Sequence, residues 1–204
     1  MGLYATYLFP RLMDWILRSS RYDEHRRATL ASAHGRVLEI GFGTGLNLPH
    51  YPKGITSLAV LDPVRMLPRT VAHRIAAAPF PVETAYAGAE RLPFHDAQFD
   101  CVVSTWTLCS IPDVGAALRQ VRRVLKPDGR FLFLEHGLSR DPRVVPWQHR
   151  LDPIQQIVGC GCHLNRPIDR MIEQADLRLA ALERFFVDGS PRIVGEMYRG
   201  VATR

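Results

Sequence analysis

Three glycines, Gly41, Gly43 and Gly45, follow Glu39 in the stretch VLEIGFGTGLNL, and Asp62 closes the next apolar run, ITSLAVLD. Glycines at this spacing let the backbone turn tightly and let a ligand approach closer than a Cβ would permit. A carboxylate closing the second run can accept hydrogen bonds from both hydroxyls of a ribose. Farther along are side chains that could move protons or bind metals. His136 ends the run GRFLFLEH, and His149 precedes Asp152 by three positions, which on a helix puts both on one face. Either histidine could accept the proton of a thiol, whose ordinary pKa is about 8.5, and His136 is preferred for its strand-end position. Cys109 reads as pocket wall. Cys160-Gly161-Cys162-His163 resembles a zinc pair, but such pairs call for C-x2–4-C and a second pair downstream. None follows, so no metal is expected and the segment reads as a tight turn lining a pocket.

Short apolar runs alternating with helical patterns must position these groups. RVLEI, ITSLAVLD, PVETAYA, FDCVVSTW and GRFLFLEHG read as strands, and PDVGAALRQVRRVLK as a helix opened by Pro112. PVRMLPRTVAHRIAAA reads as a helix bent at Pro68, TGLNLPHY as a short helix, and PDG as a turn. Parallel strands joined by right-handed crossovers follow, hence a doubly wound α/β sheet. LRLAALERFFV and RIVGEMYRGVAT predict a terminal hairpin around DGSP, and residues 144–176 read as broken helix. The apolar, aromatic residues 3–19, interrupted at Pro10, suit a lid over the pocket; contact with a membrane surface is the less favoured reading.

A chain of 204 residues, 47% hydrophobic and 23% charged, is long enough to bury one substantial core. The net charge of +6 is spread along the chain, and Arg119, Arg122, Arg123 and Lys126 read as the solvated face of one helix. No basic patch with interleaved aromatics is visible, so no nucleic-acid partner is expected. Four cysteines are too few for a disulfide framework in a chain this size. Arg11, Asp14 and Arg18 interrupt the first apolar segment, no cleavage site follows, and no run approaches the roughly 18 apolar residues of a membrane span. A cytoplasmic location is the expectation.

The glycine pattern itself discriminates among ligands. No Gly-Lys-Ser/Thr ending is present, which excludes a P-loop. The third glycine comes one residue early for a dinucleotide fingerprint, and Pro49 cuts the following helix short. Glu39 is costly to bury unpaired on a central strand. A cationic ligand without phosphates would tolerate it, and S-adenosylmethionine is such a ligand; bracing of the loop is the alternative role for Glu39.

In order along residues 36–137, VLEIGFGTGLNL, VLDPVRML, AGAERLPFHDAQFDCVVSTWTLCSIPD and ALRQVRRVLKPDGRFLFLEH resemble the motifs of class I S-adenosylmethionine-dependent methyltransferases, the methyltransferase type 11 group. GLNLPHYP, TLCSI, FLEHG and WQHRLDPIQQIVGCGCHLNR extend the similarity to bacterial relatives of the vertebrate alkyl-thiol methyltransferases. The resemblance implies a seven-stranded sheet with an antiparallel last strand. It also implies S-adenosylmethionine held by Glu39, Gly41, Phe42, Gly43, Gly45, Asp62, Pro63, Met66, Ala89, Glu90, Thr105 and Leu108, with S-adenosylhomocysteine as product. Two departures stand out. Phe42 replaces a small residue, and Gly88 replaces an aspartate that would contact adenine, a role left to Ala89 and Glu90.

The expectation is therefore one methyltransferase domain over residues 1–204, with lid 1–33, cofactor core 34–137 and acceptor-site segment 138–204. Its acceptor would be a small apolar molecule, foremost a thiol. Methylation of nitrogen or carbon in a phospholipid head group or quinone precursor is the alternative. An RNA-binding or non-catalytic adenosyl-binding protein is the reading from a different class. His136 would serve as base, with His149 and Asp152 as the other candidates.

Overall fold

The computed structural model describes residues 2–204. Seven strands form one sheet in the order β3-β2-β1-β4-β5-β7-β6: β1 (Gly35–Ile40), β2 (Ile55–Leu61), β3 (Val82–Ala85), β4 (Phe99–Thr105), β5 (Leu125–His136), β6 (Arg178–Phe186) and β7 (Glu196–Thr203). The first five pair in parallel, and β7 runs antiparallel to both β5 and β6, as the resemblance implied.

Alternate residues of the strands feed two cores, as pleating requires. Leu38, Ile40, Val102, Phe131 and Phe133 face α4 (Val114–Val124) and α6 (Ile168–Gln174). Val37, Val60, Cys101, Val103 and Leu132 face the other way, toward Leu30 of α2 (Ser20–Leu30) and Val71 and Ile75 of α3 (Pro68–Ala76). In α4 the stripe Ala117, Leu118, Val121 and Val124 is buried, and the Asp113 side chain caps the first turn by accepting the Ala116 N–H at 2.8 Å. Its arginines do more than face solvent. Arg123 donates to the carbonyls of Leu92 and Phe94, tying down the segment that precedes β4.

Several local expectations shift. The segment after Asp62 is not a bent helix: α3 starts at Pro68, and Leu67 before it is left-handed (φ 38°). Proline disfavours helical backbone at the residue before it and fits the first helical position itself. RIVG belongs to no strand; Arg192–Gly195 is one helical turn after Pro191, and β7 begins at Glu196. The helix expected in TGLNLPHY is only a 3-10 turn, Leu48–His50. The Pro-Asp-Gly segment bulges within β5 between the pairs Phe99–Leu125 and Cys101–Arg130.

The N-terminal segment forms a π-helical turn, Tyr4–Leu8, leading into α1 (Phe9–Leu17), with Pro10 at its start rather than in its interior. Arg74 of α3 fastens α1 in place, donating to Asp14 at 2.6 Å and to the Thr44 carbonyl at 2.7 Å. No helix among the described residues is long and apolar enough to cross a membrane.

Candidate active site

A cavity of about 430 Å³ opens along the carboxyl ends of β1, β2, β4 and β5. That volume lies within the range of about 300–1,000 Å³ typical of small-molecule sites. Its floor is the glycine loop, and Ala5, Phe9, Pro10, Met13 and Leu17 roof it, so the N-terminal segment is the expected lid.

The loop is left-handed at all three glycines, with φ of 70° at Gly41, 57° at Gly43 and 81° at Gly45. A Cβ at Gly41 would run into the Thr107 side chain, and one at Gly45 would lie 2.9 Å from the Phe42 ring. Phe42 thus accounts for the third glycine: its ring is buried in the β1–α2 core beneath Gly45. Gly45 itself does not line the cavity; Gly41, Phe42 and Gly43 do.

Glu39 is buried on β1 and braced from within the protein. Its carboxylate accepts from Asn47 Nδ2 at 2.9 Å and from the Tyr51 hydroxyl at 2.7 Å. Asn47 also donates to Thr105 Oγ1 at 2.9 Å, linking the glycine loop to the end of β4. Burial pushes Glu39 up from 4.5 to about 7, against the pull of these hydrogen bonds and of Arg26. A carboxyl that is a stronger base folded than unfolded binds extra protons in the native state, so stability falls as pH rises through that window. The shift amounts to about 3 kcal/mol between pH ~4.5 and ~7. Glu39→Gln keeps an acceptor for Asn47, and its NH2 donates to the Tyr51 hydroxyl, which turns from donor to acceptor. Its unfolding free energy is expected to exceed that of the wild-type protein by a margin that widens from pH 5 to pH 8; a constant difference in urea titrations would contradict this.

Asp62, at the end of β2, accepts the Gly43 N–H at 2.9 Å and the Val64 N–H at 2.8 Å, one on each oxygen. Each oxygen keeps a lone pair, and the residue lines the cavity with Pro63 and Met66. Ala89 and Glu90 complete this end. A Cβ at Gly88 would lie 2.6 Å from Glu90 Oε2. The Glu90 carboxylate therefore lies over the position from which the missing aspartate would extend. A glycine cradle, a carboxylate with free lone pairs and an adjoining slot fit an adenosyl amino acid.

At the far end, Thr105 lines the cavity while Leu108 is wholly buried and does not. Glu135 on β5, absent from the residues singled out in the sequence, sets this loop. It accepts from Ser104 Oγ at 2.6 Å, the Thr107 N–H at 2.8 Å and the Leu108 N–H at 3.1 Å. Between them Trp106 is held left-handed (φ 51°), its ring under the Arg26 guanidinium.

His136 lines the cavity, and its Nε2 lies 3.0 Å from Cys162 Sγ. The other two candidates are elsewhere. His149 is exposed on α5 (Val145–Val158) and accepts from Asn165 at 3.1 Å, while Asp152, three residues on, turns inward. Asp152 accepts from the Leu164 N–H at 2.7 Å and from His163 Nδ1 at 2.9 Å, bracing the 160–164 loop outside the cavity. The expected His149–Asp152 pair does not form: His149 pairs with Asn165 at the surface, while the Asp152 oxygens are taken by Leu164, His163 and Gln156. Cys109 joins His136 and Cys162, with one ligand-type atom of each within 4.8 Å of the others.

Residues 38–133 match the methyltransferase domain family. Thiol S-methyltransferase TMT1B of Rattus norvegicus is 34% identical over 152 residues, 72% of this chain and 62% of that protein, so the chain spans less than two thirds of its length. The Homo sapiens TMT1B is 32% identical over 198 residues, 86% of this chain and 78% of that protein. In fold, the chain resembles Burkholderia thailandensis 1,6-didemethyltoxoflavin-N1-methyltransferase, solved with 1,6-didemethyltoxoflavin and S-adenosylhomocysteine. The TM-score is 0.70 at 16% identity, over 96% of this chain and 83% of that one. With a glycine cradle at the carboxyl edge of such a sheet and relatives of this identity and coverage, the chain belongs to the class I methyltransferases, enzymes that use S-adenosylmethionine.

Proposed function

We propose that this methyltransferase acts on the sulfur of a small apolar thiol. The observation that carries the reading is the cavity's far corner, where the His136 imidazole and the sulfurs of Cys109 and Cys162 converge below an apolar lid. Phe9, Met13, Leu17 and Trp106 offer an acceptor apolar surface, and that surface favours a hydrocarbon-bearing thiol over a sugar or phosphate. The names of the two mammalian relatives support the same acceptor atom.

On this reading Gly41 and Gly43 let the amino-acid end of the cofactor lie against the backbone, Asp62 takes its ribose hydroxyls, and Pro63, Met66, Ala89 and Glu90 flank its adenine. The cofactor supplies an electrophilic methyl group on a sulfonium, which leaves as S-adenosylhomocysteine when the acceptor sulfur becomes a thioether. The protein's work is alignment and exclusion of water. Loss of the acceptor proton falls to the far corner, since His136 is the one expected base that lines the cavity. Incubation with methyl-labelled cofactor and a panel of apolar thiols, phenols, amines and lipids is expected to label thiols foremost. Label confined to the other acceptors would overturn the sulfur assignment.

A further inference from the structure

We infer that Cys109, His136 and Cys162 form a three-ligand site for a thiophilic divalent cation of the zinc type, with its fourth position open to the cavity. The inference rests on the thiol reading above for the group that fills that fourth position.

The three residues come from different parts of the chain, yet the fold holds them together. Cys109 follows β4, His136 ends β5, and Cys162 lies after α5. The His163 N–H donates to the Cys109 carbonyl at 2.9 Å, which locks the loop carrying Cys162 against the loop carrying Cys109. Asp152 holds the same loop from behind through Leu164 and His163, while Glu135 holds the Cys109 side.

The geometry suits a metal. All three candidate ligand atoms lie within 4.8 Å of one another, and the His136–Cys162 edge is 3.0 Å. Tetrahedral zinc with Zn–S of about 2.3 Å and Zn–N of about 2.0 Å sets ligand edges of about 3.5–3.8 Å, so shifts of about an ångström suffice. Three protein ligands with one open position is the arrangement of catalytic rather than structural zinc.

The surroundings suit it as well. Arg166 is buried, and its guanidinium donates to the carbonyls of Leu108 and Ile111. These bonds fix the backbone on both sides of Cys109. A cation bound here would take both sulfurs as thiolates, releasing their protons to solvent.

The pattern Cys160-Gly161-Cys162-His163 conceals the site, because two of its four members are diverted. Cys160 is exposed, and His163 is taken by Asp152. An acceptor thiol at the open position forms a metal–sulfur bond as its S–H bond breaks. The proton goes to solvent, no electrons change hands, and the sulfur keeps a lone pair facing the cavity. With the ion bound, His136 acts as a ligand, and coordination of the sulfur replaces the base role given to this histidine above.

Titration of the reduced, metal-free full chain with Co(II) tests this. Thiolate-to-cobalt charge-transfer absorption and tetrahedral ligand-field bands are expected, saturating at one equivalent and bleaching when Zn(II) is added. Cys109→Ser and Cys162→Ser should each weaken the charge-transfer absorption, and Cys160→Ser should leave it intact. Hexanethiol should intensify it. Absence of the cobalt spectrum in the wild-type chain, or a spectrum indifferent to both serine variants, overturns the site. A spectrum unchanged by hexanethiol overturns the open fourth position. Full thiol methylation by metal-free protein would sink this inference and spare the proposed function, whereas a cobalt site without thiol methylation would do the reverse.

Discussion

Glu135→Ala is expected to destabilise the protein by about 3–5 kcal/mol, the scale of leaving three buried donors without their acceptor. The carboxylate is wholly buried and accepts from Ser104, Thr107 and Leu108. Truncation leaves those donors without a partner in a site too deep for easy rehydration, and each orphan costs about 1–3 kcal/mol. For a chain of 204 residues, the loss corresponds to a fall in Tm of roughly 6–20 °C at about 2–4 °C per kcal/mol. Glu135→Gln, with one acceptor oxygen retained, should fall between the two. Thermal and urea unfolding of the three proteins measures this, and a loss below 1 kcal/mol for Glu135→Ala would show that the loop is held by something else. The same variant should weaken cofactor binding, because the Thr105–Thr107 wall of the cavity depends on that carboxylate.

Glu135 was invisible as a site residue in the sequence for a physical reason. An acidic residue in an apolar strand announces a need for partners without naming them, and those partners lie on β4 and in the loop after it. Glu39 raised the same question. There the sequence left two answers open, and its bonds to Asn47 and Tyr51 favour loop bracing, although the residue also lines the cavity. The glycine loop, the alternation of strands and helices and the place of Asp62 after β2 were legible because each depends on local backbone needs or on hydrophobic alternation. Where local signals compete, reading failed. Pro68 begins a helix rather than bending one, and the apolar Ile193 and Val194 sit in a helical turn instead of extending β7. The convergence of Cys109, His136 and Cys162 had no local signal at all. It depends on how the loop after α5 folds back over β4 and β5, and the neighbouring Cys160 and His163 suggested a different grouping.

Asp62→Ala is expected to weaken binding of S-adenosylhomocysteine by about a hundredfold or more while leaving the protein folded. Two hydrogen bonds from a ribose diol to a carboxylate are worth about 1.5–3 kcal/mol each, and 1.4 kcal/mol is tenfold in affinity. The carboxylate has a second task, since it fixes the glycine loop through Gly43 and the following turn through Val64. Its removal therefore costs preorganisation as well as direct contacts, which places the expected loss toward the upper end. Water can reach the two freed N–H groups, because they face the cavity rather than the core, so global stability should change little. Asp62→Asn separates the contributions. Its amide oxygen can hold one N–H while its NH2 opposes the other, so the loss should be smaller but distinct. Calorimetric titration with S-adenosylhomocysteine, paired with thermal unfolding, reads both effects. Unchanged affinity in a folded Asp62→Ala protein would mean that the ribose is held elsewhere along the carboxyl edge, and the assignment of the cavity's two ends would have to be reversed.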